Sequence, residues 1–265
     1  MTRLLLLLPL LLLALPSPDA LAQPPFIEEM STDEVQSYLA RGGTTAIISF
    51  GSTEQNGPHM VLGKHNYIVK HNAEEIAKRL GNALVAPVLA YVPEGRIDPP
   101  EGHMRFPGTI SVPDEVFMKV TEHAARSFRA NGFKDIVLIG DSGPNQKGLQ
   151  SVARQLNKEW AASGVRVHYI GDYYHTKLFE QWLKKQGLSA ADIGTHGGVE
   201  DTSELMAIHP QHIRMDKLAP GGNFAATGVS GNPPRASAAY GKQGLEFRIS
   251  AAVEQIRRVI PGRNP

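Results

Sequence analysis

The sequence predicts a single three-layer α/β domain with a mostly parallel sheet. Short apolar runs alternate with segments of helical period, no internal repeat is present, and no linker divides the chain. Strands that read as continuous apolar runs are typical of a parallel sheet covered by helices on both faces. A chain of 265 residues is long enough to bury one large core of this kind.

The N-terminus has the parts of a secretory signal. A basic start at residues 1–3 precedes the apolar run LLLLLPLLLLALP and the small-residue cleavage pattern A-L-A at 20–22. The run is short for a membrane span. These features predict a signal peptide over residues 1–22 and a mature domain over residues 23–265, with a retained anchor as the alternative. We expect an exported protein, periplasmic or secreted, with no membrane contact after cleavage.

Composition argues against nucleic acid and anionic membranes as partners, and it makes histidine, aspartate and glutamate the residue types of interest. The 27 basic and 26 acidic residues nearly cancel, so neither nucleic acid nor an anionic membrane is an expected partner. There is no cysteine, so neither a disulfide nor a thiolate metal site can form. Ten histidines remain, and with aspartate and glutamate they are the residues on which a reactive site would depend.

The first predicted β-α pair sets the pattern. The run TTAIISF at 44–50 reads as a buried strand. The segment 66–81 follows with apolar residues at a period near 3.6, and Gly81 is its stop signal. Its apolar positions are Ile68, Ala73, Ile76, Ala77 and Leu80.

The same alternation continues along the chain. Further strands are predicted at 83–92, 135–140 and 165–171, and further helices at 113–132, 145–164, 176–187 and 245–259. The helix at 113–132 has Pro113 at its start, two acidic residues in its first turn and Gly132 as its stop. Residues 219–241 are rich in small side chains, and we expect a long loop there.

Three polar loops are candidates for the functional site at one edge of this sheet. They are Gly51–Asn66, Gly140–Gln146 and Thr195–Ser203. In open α/β sheets, ligands bind beyond the carboxyl ends of the strands, and two of these loops directly follow predicted strands. A Pro/Gly-rich segment with the sequence EGHMRFPGT could close over them.

These loops, in this order, resemble the creatininase family. The stretch GSTEQNGPHMVLGKHN is similar to the family motif G-S-x-E-Q-H-G-P-H-L-P-L-x-T-D, and HMRFPGTIS to H-x-x-F-P-G-T-I-S. The stretch IVLIGDSGPN stands where the family has a strand followed by N-G-H-G-G-N, and HGGVEDTS where it has H-A-G-x-x-E-T-S. The resemblance implies a three-layer α/β fold, a centre of two divalent metal ions, hydrolysis of cyclic or linear C–N amide bonds and often a hexamer.

The chain departs from the family motifs at positions that carry metal chemistry. Asn56 stands in place of histidine and His65 in place of aspartate. In the third motif Ser142 replaces histidine and Pro144 replaces glycine, and in the last motif Asp201 replaces glutamate. An imidazole binds one metal ion, whereas a carboxylate can bridge two, so the exchange at position 65 favours one ion over two.

The metal hypothesis assigns one divalent ion, Zn or Mn, to Glu54, His65 and Asp141. A carboxylate at the end of a buried strand needs a partner, which for Glu54 could be a metal, a lysine such as Lys64 or backbone amides. Asp141 could supply the carboxylate that is missing at position 65. Its alternative role is to cap the following helix.

The acid–base hypothesis pairs His196 with Asp201, and counts Glu54 with them as a catalytic group. A histidine of ordinary pKa can protonate a departing amine at neutral pH, and a nearby carboxylate can hold its tautomer. The alternative is a buried polar cluster with no catalytic part. Five residues of the same loops are the candidate substrate contacts: Asn56, His59, His103, Ser142 and Asn145. For Asn56 and His59, a role in ordering the loop is the alternative.

These assignments predict a metal-dependent amidohydrolase that acts on a C–N bond of a small molecule, with creatinine itself not its main substrate. The resemblance also implies a homo-oligomer. One alternative is a non-catalytic protein that binds a small molecule and has lost the metal centre. Another is a lactonase or peptidase with one metal ion. If Glu54, His65, Asp141 and His196 converge within coordination distance, the enzyme is favoured; if they point apart, the binding protein is favoured.

Overall fold

The computed structural model describes residues 25–260, and within this range it confirms the predicted fold class. Four strands form one parallel sheet in the order β2-β1-β3-β4. Their bounds are Thr45–Phe50 (β1), Ala83–Val85 (β2), Asp135–Gly140 (β3) and Arg166–Tyr169 (β4). The predicted signal peptide lies outside the described residues.

Both faces of the sheet are covered, because neighbouring side chains on a strand point to opposite faces. Ile47 and Val137 belong to the core cluster on one face, whereas Ile48 and Ile136 belong to the cluster on the other face. All six residues of β1 and of β3 are buried. This two-sided burial is why these strands read as unbroken apolar runs in the sequence.

Helices supply the two outer layers. In chain order they are α1 Thr32–Ala40, α2 Lys64–Leu80, α3 Asp114–Ala130, α4 Asn145–Glu159, α5 Asp172–His175, α6 Leu178–Lys185, α7 Ala190–Ile193, α8 Val199–Ile208 and α9 Ala238–Val259. Apolar residues of α2 and α9 cover one face of the sheet, and those of α3 and α4 cover the other. None of the described helices is long and apolar enough to cross a membrane.

Three predicted elements differ from the structure. The strand expected at 83–92 ends at Val85, and a proline at position 87 with no N–H group interrupts the ladder there. The predicted loop Thr195–Ser203 becomes helix α8 from Val199 onward. The last helix begins at Ala238, earlier than expected, because the Ser237 side chain caps it by accepting a hydrogen bond from the backbone of Tyr240.

Close packing of α8 against α9 requires a glycine at position 241. A Cβ atom on Gly241 would lie 1.8 Å from the carbonyl oxygen of Ser203, a backbone atom that cannot rotate away. The contact matters for the site described below, because α8 carries Asp201 and α9 carries Arg248.

We predict that Gly241→Ala lowers the free energy of unfolding by about 3 kcal/mol, because the two helices must separate to admit the methyl group. The measurement is equilibrium denaturation in urea. Lys242→Ala, at the exposed neighbouring position on the same helix, should change stability by no more than about 0.5 kcal/mol. Equal stability of Gly241→Ala and the parent would contradict this account of the helix contact.

Candidate active site

Strand register brings the polar loops to one edge of the sheet. Phe50 at the end of β1 lies opposite Gly140 at the end of β3 in the parallel ladder. The loop that starts at Gly51 and the loop that starts at Asp141 therefore leave the sheet side by side. Helix α2 then begins at Lys64, so its first residues return to the same edge.

A chain of short hydrogen bonds joins three of the predicted residues. His65 Nε2 lies 2.7 Å from Glu54 Oε1, and His65 Nδ1 lies 2.6 Å from Asp141 Oδ2. Because carboxylates only accept, an imidazole that bonds to both must carry a proton on each nitrogen. Burial and the charge of Lys64 act against this, but the two carboxylates outweigh them and raise the pKa of His65 to about 9.

In this arrangement the three predicted metal ligands bond to one another. A doubly protonated His65 has no lone pair for an ion. Both oxygens of Asp141 are also engaged, since Oδ2 faces His65 and Oδ1 accepts a 2.6 Å hydrogen bond from the hydroxyl of Tyr173. Of the three predicted ligands, Glu54 alone keeps an oxygen directed toward other donors.

Two further imidazoles lie near the Glu54 carboxylate, one beside each oxygen. His103 Nε2 lies 3.3 Å from Glu54 Oε2, and His196 Nδ1 lies 3.8 Å from Glu54 Oε1. One ligand atom from each of the three residues lies within 4.8 Å of the others. Two imidazoles and one carboxylate form a ligand set found in catalytic zinc sites that keep a position open for water or substrate.

The tautomer of His196 suits a metal ligand. Its Nε2 lies 2.8 Å from the backbone carbonyl oxygen of Gln55. Since that oxygen can only accept, Nε2 carries the proton, and the lone pair is on Nδ1, the atom nearest Glu54. Burial, with a further contribution from the charge of Lys64, lowers the pKa of His196, so the ring is neutral. The group that holds the tautomer is thus Gln55 and not, as predicted, Asp201.

His103 is oriented by the same residue through its side chain. Gln55 Nε2 lies 3.1 Å from His103 Nδ1, and this contact directs Nε2 of the ring at Glu54. An ion bound at Nε2 would leave the proton on Nδ1. Binding would therefore require the Gln55 amide to turn its oxygen toward the ring, at the cost of its hydrogen bonds to the Gly228 oxygen and from the Gly57 N–H. With that rotation, Glu54, His103 and His196 fit one divalent ion.

Asp201 has different partners from those expected. One of its oxygens, Oδ2, lies 3.0 Å from Lys64 Nζ and accepts a 2.7 Å hydrogen bond from the backbone N–H of Gly197. Lys64 Nζ also lies 3.8 Å from Glu54 Oε1. Burial alone would lower the pKa of Lys64, but Asp201 and Glu54 reverse the effect and raise it. Lys64 is therefore a buried ammonium group held by two carboxylates.

A cavity of about 690 Å³ opens over this cluster. Residues of the cluster form its floor, and Phe179, Ala190 and Ile193 add an apolar wall. Two of the five predicted substrate contacts, His103 and Ser142, line it. Among the predicted catalytic and metal residues, Glu54, His65, Asp141, His196 and Asp201 line it as well.

Comparison with known proteins identifies the family. The family model described as creatininase, creatinine amidohydrolase, matches residues 28–256. The chain belongs to the creatininase family. The resemblance found in the four sequence motifs is thereby confirmed.

Individual relatives are distant. The chain is 26% identical over 240 residues to the mycofactocin precursor peptide peptidase of Mycolicibacterium smegmatis, covering 82% of this chain and 86% of the relative. It is 25% identical over 256 residues to the creatinine amidohydrolase of Pseudomonas putida, covering 89% and 97%. Solved creatininases described as "Creatininase Mn" and as a "Zn-Zn type" mutant align at TM-scores of 0.74 and 0.72. Each is 24% identical and covers 91% of this chain and all of the other, which shows a shared fold.

Three of the predicted substrate contacts lie outside the cavity of this creatininase-family protein. Asn56 donates from Nδ2 to the backbone oxygens of Glu54 and Val61, at 2.9 and 3.2 Å. His59 Nε2 lies 3.0 Å from Thr202 Oγ1. Asn145 donates a 3.0 Å hydrogen bond to the backbone oxygen of Gly51. All three side chains are fully buried, so the prediction that they contact substrate does not fit the structure.

Several polar residues of the site were not singled out by the sequence. Ser142 donates a 2.8 Å hydrogen bond to the buried Glu94, whose pKa is raised to about 8 by burial and by the charge of Glu54. Glu200 and Arg248 line the cavity. The creatininase motif H-A-G-x-x-E-T-S aligns its glutamate with Asp201, so the sequence favours Asp201 over the adjacent Glu200. No signal in the sequence marked Arg248 on the last helix.

We predict that Asn56→Ala lowers the free energy of unfolding by about 1–3 kcal/mol, because two buried backbone carbonyl groups lose their donor. Thermal and urea denaturation measure the change. Metal content should stay that of the parent, since Asn56 offers no ligand to the Glu54 group. Asn223→Ala, at an exposed loop position, is the control and should be within about 0.5 kcal/mol of the parent. Loss of bound metal in Asn56→Ala would contradict the structural role.

Proposed function

We propose that this chain is an exported amidohydrolase that cleaves a C–N amide bond of a small molecule with the help of one divalent ion. The observation that carries the proposal is the group formed by Glu54, His103 and His196 on the floor of the cavity, with donor atoms spaced for a single ion. Membership of a family described as creatinine amidohydrolase supports the reaction type. Relatives named for Mn and Zn-Zn forms support Zn or Mn as the ion.

A bound divalent ion would supply a polarised carbonyl and a water of lowered pKa. The protein supplies position and charge. His65 and Asp141 hold the Glu54 carboxylate, so that its second oxygen stays directed toward His103. Gln55 holds both imidazoles, one through its backbone oxygen and one through its side chain. Such supporting contacts fix the orientation of the donors.

The proton for the departing nitrogen is best assigned to Glu200. His196, predicted for this role, has its one proton on the nitrogen that faces the Gln55 carbonyl group, away from Glu54. Glu200 lines the same cavity, and burial raises its pKa, which favours the protonated form closer to neutral pH. Asp201 is occupied by Lys64 and by the Gly197 amide.

The size of the cavity favours a substrate larger than creatinine. A volume of about 690 Å³ lies within the range of about 300–1,000 Å³ found for sites that enclose drug-sized ligands. The wall of Phe179, Ala190 and Ile193 would contact an apolar part of the substrate. A relative named as a peptide peptidase is consistent with a linear amide as the bond that is cleaved.

Location and assembly complete the proposal. The basic start, apolar run and A-L-A pattern of residues 1–22 support export to the periplasm or beyond. Resemblance to the family supports a homo-oligomer, with a hexamer as the expected form.

A metal-free binding protein is the second candidate, and a specific observation favours it. Glu54, Asp141 and Asp201 already face three cations of the chain itself, namely Lys64, a protonated His65 and Arg248, whose Nη1 lies 3.7 Å from Asp141 Oδ1. The cluster is therefore close to neutral without an ion. Metal analysis separates the two candidates.

We predict that the purified protein binds one equivalent of Zn or Mn, and that His103→Ala and His196→Ala each abolish stoichiometric binding. Removing one of three protein ligands leaves too few donors for tight coordination. His65→Ala should still bind one ion, about 10–100-fold more weakly, because it removes only a group that orients Glu54. The measurement is elemental analysis together with calorimetric titration.

His209→Ala is the control for a histidine outside the cavity and should bind one ion with parental affinity. If the protein binds no Zn or Mn under any of these conditions, the enzyme proposal is wrong and the binding protein is favoured. If His65→Ala loses the ion while His103→Ala keeps it, Glu54, His65 and Asp141 are the ligands after all.

We predict that creatinine is turned over far more slowly than the best linear amide found in a screen of N-acyl amino acids and short peptides. A small planar ring leaves most of the cavity to water and forgoes contact with its apolar wall. The comparison is of kcat/KM at equal metal loading. A value for creatinine that matches the best amide would refute the prediction.

A further inference from the structure

The lysine at the start of α2 is in an unusual position. The Lys64 side chain is 1% exposed, although it lines the cavity. A buried ammonium group is costly unless opposite charges surround it. In this protein it stands against Asp201 at 3.0 Å and Glu54 at 3.8 Å.

Neither carboxylate is free to turn away from the lysine. Asp201 is fixed by the backbone N–H of Gly197, which donates to the same oxygen that faces Lys64. That N–H is aimed by a left-handed turn, since Gly197 has φ of +61°. Glu54 Oε1 is held by His65 at 2.7 Å. The position of Nζ is thus a preformed site for a positive charge between two acidic groups.

This site adjoins the candidate metal group but is distinct from it. Lys64 faces Oε1 of Glu54, whereas His103 faces Oε2 of the same carboxylate. His196 Nδ1 lies 3.8 Å from Oε1, so this oxygen faces both Lys64 and one of the metal donors, and Oε2 faces the other donor. The family motif has threonine and aspartate where this chain has Lys64 and His65, so the exchange adds positive charge at both positions.

We propose that Lys64 is a built-in cation that occupies the place a second divalent ion would need, so that the centre of this chain takes one ion where a relative is described as a Zn-Zn form. The inference rests on the proposed function, because it presumes that one ion binds to Glu54, His103 and His196. It explains why Glu54 and Asp201 are both present although the chain lacks the other donors of a two-metal centre. Lys64 makes the acidic pair stable without a metal.

The test is metal stoichiometry of the full chain with Zn and with Mn, measured by calorimetry and by elemental analysis after gel filtration. The wild type should bind one ion. Lys64→Ala removes the charge and leaves room between two carboxylates, so calorimetry should show a second binding event, weak because only Glu54 and Asp201 supply donors. Lys64→Ala combined with Asp201→Asn should lose that second event, because one of its two carboxylates is gone. Lys177→Ala, a largely exposed lysine of the same cavity, is the control and should bind one.

Lys64→Met is a second variant, included in case Lys64→Ala does not fold. It removes the charge but fills the space, so it should bind one ion and should unfold at a lower temperature than the parent. A wild type that binds two ions overturns the inference, as does a folded Lys64→Ala that shows no second, weaker binding event. A wild type that binds none overturns the proposed function instead, so the two failures are distinguishable.

Discussion

The rest of the site depends on the need to neutralise buried carboxylates at one edge of the sheet. Glu54 and Asp141 leave neighbouring parallel strands at the same end, and α8 brings Asp201 to the same place. Charges of one sign in a low-dielectric setting are unstable unless cations lie among them. His65 and Lys64, adjacent residues at the start of α2, are two of those cations, and Arg248 of α9 lies 3.7 Å from Asp141. Their positions then decide which oxygens remain for a ligand.

Because of this charge balance, His65, Lys64 and Glu54 have different roles. His65 joins Glu54 to Asp141 and, while it bonds to both, has no lone pair for a metal ion. Lys64 compensates Asp201 and one side of Glu54. Glu54 Oε2 faces His103, and Oε1 also lies near His196. A residue exchange that looks like the loss of a metal centre is thus accompanied by new internal cations, and the cavity keeps three donors for one ion.

Supporting residues are more numerous than reactive ones in the polar loops. Asn56 and His59 are as close to Glu54 in sequence as any candidate, yet both side chains are buried in contacts within the scaffold. Gln55, between them and Glu54, contacts both imidazoles of the candidate metal group. Polar residues in a loop at a strand end therefore have one of two roles. Some face the cavity, and others form hydrogen bonds with buried groups of the protein, because buried polar groups need partners.

The sequence by itself determined the fold class, most of the elements and the edge of the sheet where the site lies. Local patterns suffice for these features, since strand and helix periods and the apolar runs of β1 and β3 follow from burial on two faces. Glu54, His103 and His196 were all among the residues it singled out. The tertiary structure alone decided which donors meet, because ligand sets depend on distances of a few ångströms between distant segments. His196 reaches Glu54 through its contact with the backbone oxygen of Gln55. His65 bonds to Glu54 and Asp141, the two carboxylates that the sequence had grouped with it as ligands of one ion.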